Sequence, residues 1–169
     1  LNSNIFYELY CQEEEKDNAE FKCCMVVNHD EQVKVYSDIA KKLGITEKYG
    51  EVVSKASTFL NRHKDLDSVD VVFIDEAHLL FTQGNQGYSG KNQLDDIIKR
   101  AKVVVIVFDE NQILRMDQYW EKQMIDRYRN KAIEQQNYIT LTKQLRMQAD
   151  NETLAWIDAF TKKQIINYK

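Results

Sequence analysis

The residues richest in chemistry form one short run, Asp75-Glu76-Ala77-His78. The run follows directly on Val69-Asp70-Val71-Val72-Phe73-Ile74, a β-branched and aromatic stretch of strand length. A carboxylate at such a strand end can hold Mg²⁺, usually through water, while its neighbour polarises an attacking water. That is the chemistry of phosphoryl transfer. Acids also end strands simply because solvent begins there, and a lone Asp-Glu pair reads equally well either way. The apolar strand before the pair, and His78-Leu79-Leu80 after it, favour the chemical reading.

Two later runs extend this. Phe108-Asp109-Glu110-Asn111-Gln112 closes a second apolar stretch, where an amide can sense a γ-phosphate or orient the water. Leu141-Thr142-Lys143-Gln144-Leu145-Arg146-Met147 sets an arginine just past a third strand-like piece, within reach of a transferring phosphoryl group. Taken alone, Gln112 is a weak signal and Arg146 reads as a surface arginine.

These runs need elements to hold them. Val69–Ile74 and Val103–Phe108 are apolar without alternation, which predicts two central parallel strands buried on both faces. Phe21–Val27 is a further strand, and Tyr138–Leu141 is strand-like. Helices are predicted through Ile5, Phe6, Leu9 and Tyr10; through Tyr36, Ile39, Ala40 and Leu43, ending near Gly44; through Leu94, Ile97, Ile98 and Ala101; through Tyr119, Trp120, Met124 and Tyr128; and from Leu154 to Phe160. Asn28 with Glu31 fits a capping box for the second of these. Strand and helix alternate throughout. The class is α/β with a parallel sheet flanked by helices, and residues 1–169 read as one domain, since no linker or repeat interrupts them.

Composition bounds the rest. Hydrophobic residues at 43% and charged residues at 30% of 169 exclude a disordered chain, and no apolar run approaches the roughly 20 residues that span a bilayer. The net charge of -4 gives no overall positive field for a nucleic acid. Lys41-Lys42, Lys99-Arg100-Ala101-Lys102 and Lys162-Lys163 read as solvated faces. Cys11, Cys23 and Cys24 lack zinc spacing, and the adjacent pair points to opposite strand faces, so they read as reduced thiols of a cytoplasmic protein. His29 and His63 read as surface or capping residues. Tyr119, Trp120 and Tyr128 could stack on bases, although helix packing is the commoner use of such residues. The chain opens Leu1-Asn2-Ser3-Asn4 without an initiator methionine, and is expected to be a piece of a longer polypeptide.

Asp75-Glu76-Ala77-His78, Asp109-x-x-Gln112 and Leu141-x-x-Gln144-x-Arg146, in this order, resemble motifs II, III and IV of superfamily-one helicases. More narrowly, the chain is similar to a bacterial family of uncharacterised ATP/GTP-binding proteins with a helicase-like nucleotide domain. The resemblance spans roughly residues 1 to 150. It implies a RecA-like core in which Asp75 is the Mg²⁺ ligand, Glu76 the water-activating base, Gln112 the γ-phosphate sensor and Arg146 the arginine finger. It also implies that His78, Asp109 and Gln144 border the nucleotide, with His78 linking that site to neighbouring motifs. Val26-Val27-Asn28-His29 and Ser57-Thr58-Phe59 match the motifs that touch single-stranded DNA or RNA, which puts Asn28, His29 and Thr58 at a nucleic-acid surface. Phe108 stands where that family usually has glycine.

One motif is missing. A phosphate-binding loop needs Gly-x-x-x-x-Gly-Lys-Ser/Thr, so that bare backbone N–H groups can wrap the phosphates. The single Gly-Lys here, Gly90-Lys91, has Asn85 in place of the first glycine and Asn92 after the lysine, and it lies beyond the acidic strand. It reads as part of a surface loop pivoting on Gly84, Gly87 and Gly90. By the resemblance, the first strand with its phosphate loop lies upstream and a second lobe downstream. This fragment is then expected to hold neither ATP nor GTP tightly, nor to turn them over by itself. A non-catalytic nucleic-acid-binding or regulatory module on the same fold is the alternative.

Overall fold

Four strands, β1 (Cys23–Val27), β2 (Val53–Ser54), β3 (Val69–Asp75) and β4 (Ala101–Ile106), pair in parallel in the order β2-β1-β3-β4 in a computed structural model of the chain. The structure describes residues 2–16, 18, 20–82, 90, 92–109, 122–141, 153, 155, 156 and 159. Two compact units are present, Leu1–Tyr119 and Trp120–Lys169, and the sheet belongs to the first.

Parallel neighbours need crossover connections, and helices supply them. Between β1 and β2 run α2 (Asp30–Lys42) and α3 (Ile45–Tyr49); α4 (Ala56–Arg62) leads to β3, and α5 (Gln93–Ile98) leads to β4. A further helix, α1 (Asn2–Glu15), precedes β1. Strand alternation sorts the side chains into layers. Cys23, Met25, Val27, Val53 and Phe73 face α1, α2 and α3, and they form one core with Phe6, Tyr10, Ala40 and Ile45. The Phe6 ring meets Tyr10 and Phe73 edge-on at 5.3 and 5.8 Å, a favoured aromatic arrangement. The opposite face, carrying Cys24, Val26, Val72 and Ile74, is left to α4 and α5, which touch each other and the strands β1 and β4 respectively. The result is an α/β parallel sheet flanked by helices, consistent with a RecA-like core.

The two predicted central strands have different fates. β3 is largely buried, but β4 is not: Val103 is 53% exposed and Ile106 36%. β4 ends the four-strand order among the described residues, so one side of it lacks a neighbour there, and its apolar run alone could not distinguish edge from centre. β4 also begins two residues earlier than read, because Ala101 joins the ladder opposite Val69 instead of extending α5. The predicted capping box is not formed. Asn28 lies one residue before the N-cap, His29, which makes no side-chain cap, and the Asn28 amide is engaged elsewhere. α2 instead gains from Asp30 and Glu31 in its first turn and Lys41 and Lys42 in its last, each matched to the helix dipole. It stops at Gly44, whose φ of 75° is left-handed, as a helix-terminating glycine requires. In α1, Ile5 is exposed and Tyr7 takes an inward place.

In the second unit, α6 (Lys122–Glu134) forms from the predicted Met124–Tyr128 pattern. Residues 137–141 lie outside any strand among the described residues, and Ile139 is 82% exposed, contrary to the predicted strand Tyr138–Leu141. Extended β-prone chain becomes a strand only where a ladder partner exists. Ala155, Trp156 and Ala159 are helical, as predicted for Leu154 to Phe160, and so is Thr153 just before that segment. No helix among the described residues is long and apolar enough to cross a membrane.

Candidate functional site

Connections leave β1 and β3 in opposite directions, β1 toward β2 and β3 toward β4. The crevice beyond the carboxyl ends of those two strands is therefore a topological switch point, where open parallel sheets bind ligands. Val27 pairs with Asp75 in register, so Asn28 and Asp75-Glu76 flank this crevice. Asp75 is the last residue of β3. Glu76 follows in the left-handed region at φ 53°, ψ 48°, which turns the chain abruptly into a 3₁₀ turn over Ala77–Leu79. A non-glycine residue in this conformation costs on the order of 1–2 kcal/mol, so the surrounding contacts must impose it.

Those contacts are explicit. The Ala77 N–H donates to the carbonyl of Val107 at 2.8 Å, and the Val107 N–H donates to that of Ile74 at 3.0 Å, stitching the turn to the end of β4. His78, only 2% exposed, lies with Nε2 3.3 Å from Glu76 Oε2. Its Nδ1 accepts the Asp109 backbone N–H at 3.4 Å, which leaves the ring proton on Nε2, facing the carboxylate. The Phe108 ring meets the imidazole edge-on at 6.1 Å. Where glycine would leave a gap, Phe108 packs on His78. The imidazole thus joins Glu76, at the end of β3, to Asp109, beyond β4.

On the other flank, Asn28 Nδ2 donates to the Leu79 carbonyl at 2.9 Å, and Asn28 Oδ1 accepts the Ala56 N–H at 3.2 Å. One amide ties the end of β1 to the turn after β3 and to the first residue of α4. Thr58 lies half-buried in that first turn, and His29 is exposed. Lys55 bridges to Asp30 at 2.5 Å and holds the Asp30 carboxyl below its usual range. Tyr36, read from sequence only as part of a helix face, donates its hydroxyl to Asp75 Oδ2 at 3.0 Å. A tyrosine on an aliphatic helix face was the available signal, since its hydroxyl needs a partner when buried.

The structure therefore brings Asp75, Glu76, His78, Asp109, Asn28, His29 and Thr58 to one end of the sheet. Gln112, Gln144 and Arg146 lie outside the described residues, as do Gly84, Gly87, Lys91, Tyr119 and Trp120. Cys23 and Cys24 are buried and unpaired. Burial pushes both thiols up, that of Cys24 to about 12, which disfavours the reactive thiolate.

An acid pair beside a buried histidine thus lies at the switch point, the place where open parallel sheets bind ligands. In the comparison with known proteins, the Schlafen group 3 DNA/RNA helicase domain matches residues 1–169, the whole chain. The chain belongs to this family. A Schlafen group 3 DNA/RNA helicase domain is helicase-like. The chain is also 34% identical over 142 residues to an uncharacterized protein of Saccharomyces cerevisiae, YPL245W, a match that takes in 79% of this chain. It spans 31% of the length of that relative.

Proposed function

We propose that this Schlafen group 3 domain carries the water-activating half of a Mg²⁺-dependent nucleoside triphosphatase, with ATP or GTP as substrate and single-stranded DNA or RNA as its track. The observation that supports this most is the Asp75-Glu76 pair at the switch point, with Glu76 turned left-handed and held by buried His78. The donor set suits Mg²⁺, which keeps several waters and takes one or two carboxylates together with substrate phosphates rather than an all-protein cage. Asp75 would hold the ion, and the ion would supply neutralisation of phosphate charge.

Glu76 accepts the proton of the attacking water. Buried His78, with Nε2 3.3 Å from Glu76 Oε2, would help orient that carboxylate, and the Asp109 backbone N–H, donated to Nδ1, would set the His78 tautomer. Gln112 would orient the same water, and Arg146 would offset charge on the transferring phosphoryl group, with Gln144 beside it. Asn28, His29 and Thr58 would lie along the nucleic acid. Reduced, buried Cys23 and Cys24 suit a cytoplasmic protein. Because these 169 residues contain no Gly-x-x-x-x-Gly-Lys-Ser/Thr, the segment by itself should bind nucleotide weakly. Each missing charge-assisted hydrogen bond is worth about 1.5–3 kcal/mol.

Phosphate release by the intact protein, with and without single-stranded DNA and RNA, tests the reading. Turnover stimulated by one of the two is expected. Single-strand binding with no turnover would instead make the domain a non-catalytic nucleic-acid module.

A further inference from the structure

Asp75 is reached by a donor from outside its own strand. Tyr36, in the second turn of α2, gives its hydroxyl proton to Asp75 Oδ2 at 3.0 Å. The backbone carbonyl of Tyr36 accepts the Tyr7 hydroxyl at 2.8 Å, so the contact is anchored a second time, from α1. α1 is fixed by Phe6 and Tyr10 in the core, where the Tyr10 hydroxyl also binds the Cys23 carbonyl. A chain of contacts thus runs from α1 through α2 to the carboxylate at the end of β3.

Tyr36 also lines an open cleft of about 270 Å³ with His29, Glu31, Gln32 and Val35. Tyr36 therefore borders an accessible space while it packs against the core.

We infer that Tyr36 is a positioning residue for a divalent cation at Asp75, acting by fixing which carboxylate oxygen is left for the ion. This rests on the reading of Asp75 proposed above. The terminal torsion of an aspartate is broad and roughly two-fold, so an unrestrained carboxylate exchanges its two oxygens readily. A donor on Oδ2 removes that freedom and leaves Oδ1 as the oxygen presented to a ligand. Partners of this outer kind typically contribute 10–100-fold to metal affinity. Tyr36→Phe removes one oxygen atom and keeps the ring that packs on the core.

The test is Mn²⁺ binding by the intact protein with a non-hydrolysable ATP analogue, with free Mn²⁺ read by electron paramagnetic resonance and the thermal midpoint read in parallel. Wild type is expected to bind Mn²⁺, Asp75→Asn to lose it, and Tyr36→Phe to bind about tenfold more weakly at an unchanged thermal midpoint. Tyr36→Phe binding as tightly as wild type, while Asp75→Asn binds nothing, overturns the positioning role and leaves the reading of Asp75 standing. Weaker binding accompanied by a midpoint lowered by several degrees makes Tyr36 a structural residue and also overturns it. Asp75→Asn binding like wild type overturns both.

Discussion

Glu76 pays a conformational cost that its neighbours do not. Its left-handed backbone is a position glycine would occupy without strain, and strain of this kind collects at functional sites. Glu76→Gly should therefore keep the stability read from urea unfolding at the wild-type value or raise it, by up to about 1 kcal/mol, while removing the proposed base. A clear loss of stability would mean that the His78 contact outweighs the strain. Asn28 shows the reverse economy: one amide serves two backbone groups on different elements, and no strain is involved. From the sequence, Asp75, Glu76 and His78 were legible because an apolar strand leads into them. The role of Asn28 was not, because capping boxes are defined by local spacing while its partners lie 28 and 51 residues away. Tyr36 was hidden for a similar reason. Its helix-face spacing announced packing, and only the fold reveals that the ring ends at Asp75.

Among the elements, β3 and β4 form a controlled comparison. Their sequences carry the same kind of β-branched run, and Ile74 and Ile106 are ladder partners. Ile74 is fully buried, whereas Ile106 is 36% exposed. Ile74→Ala should cost about 2–5 kcal/mol, and Ile106→Ala less than about 1.5 kcal/mol, because the second truncation leaves little cavity. Equal shifts in the urea midpoints would contradict the layer assignment. Hydrophobic runs reported that both segments are strands; they could not report which strand has neighbours on both sides. The same limit explains residues 137–141, whose β-prone composition finds no ladder among the described residues. α5 is the opposite case. Asn92 caps it through the N–H groups of Leu94 and Asp95, a local device that leaves a local signature.

At the scale of the whole molecule, acid should weaken the fold in a defined window. His63 packs on Phe59 with its Nε2 3.8 Å from Cys24 Sγ, and Arg100 Nε donates to its carbonyl. Burial, reinforced by the charges of Lys22 and Arg62, lowers its pKa below the ordinary 6.5. Its neutral form is therefore the one the fold accepts. Above pH 6.5 the residue contributes no pH dependence. As pH falls below 6.5 the unfolded chain takes up a proton that the folded one resists, and stability declines. Urea midpoints at about pH 7.5 and about pH 5.5 should differ less in His63→Gln than in wild type. An unchanged difference would assign the slope to other groups. Asp70 acts lower on the scale: the Lys102 ammonium and the Lys22 N–H hold its carboxyl below the usual range, so its contribution is lost only as pH falls through that range.

The proposed chemistry rests on one carboxylate, and phosphate release from the intact protein carrying Glu76→Gln is its most direct test. The variant should retain Mg²⁺-nucleotide binding and lose turnover by about 10²–10⁴-fold, the contribution of a positioned general base. Wild-type turnover in Glu76→Gln would contradict the account.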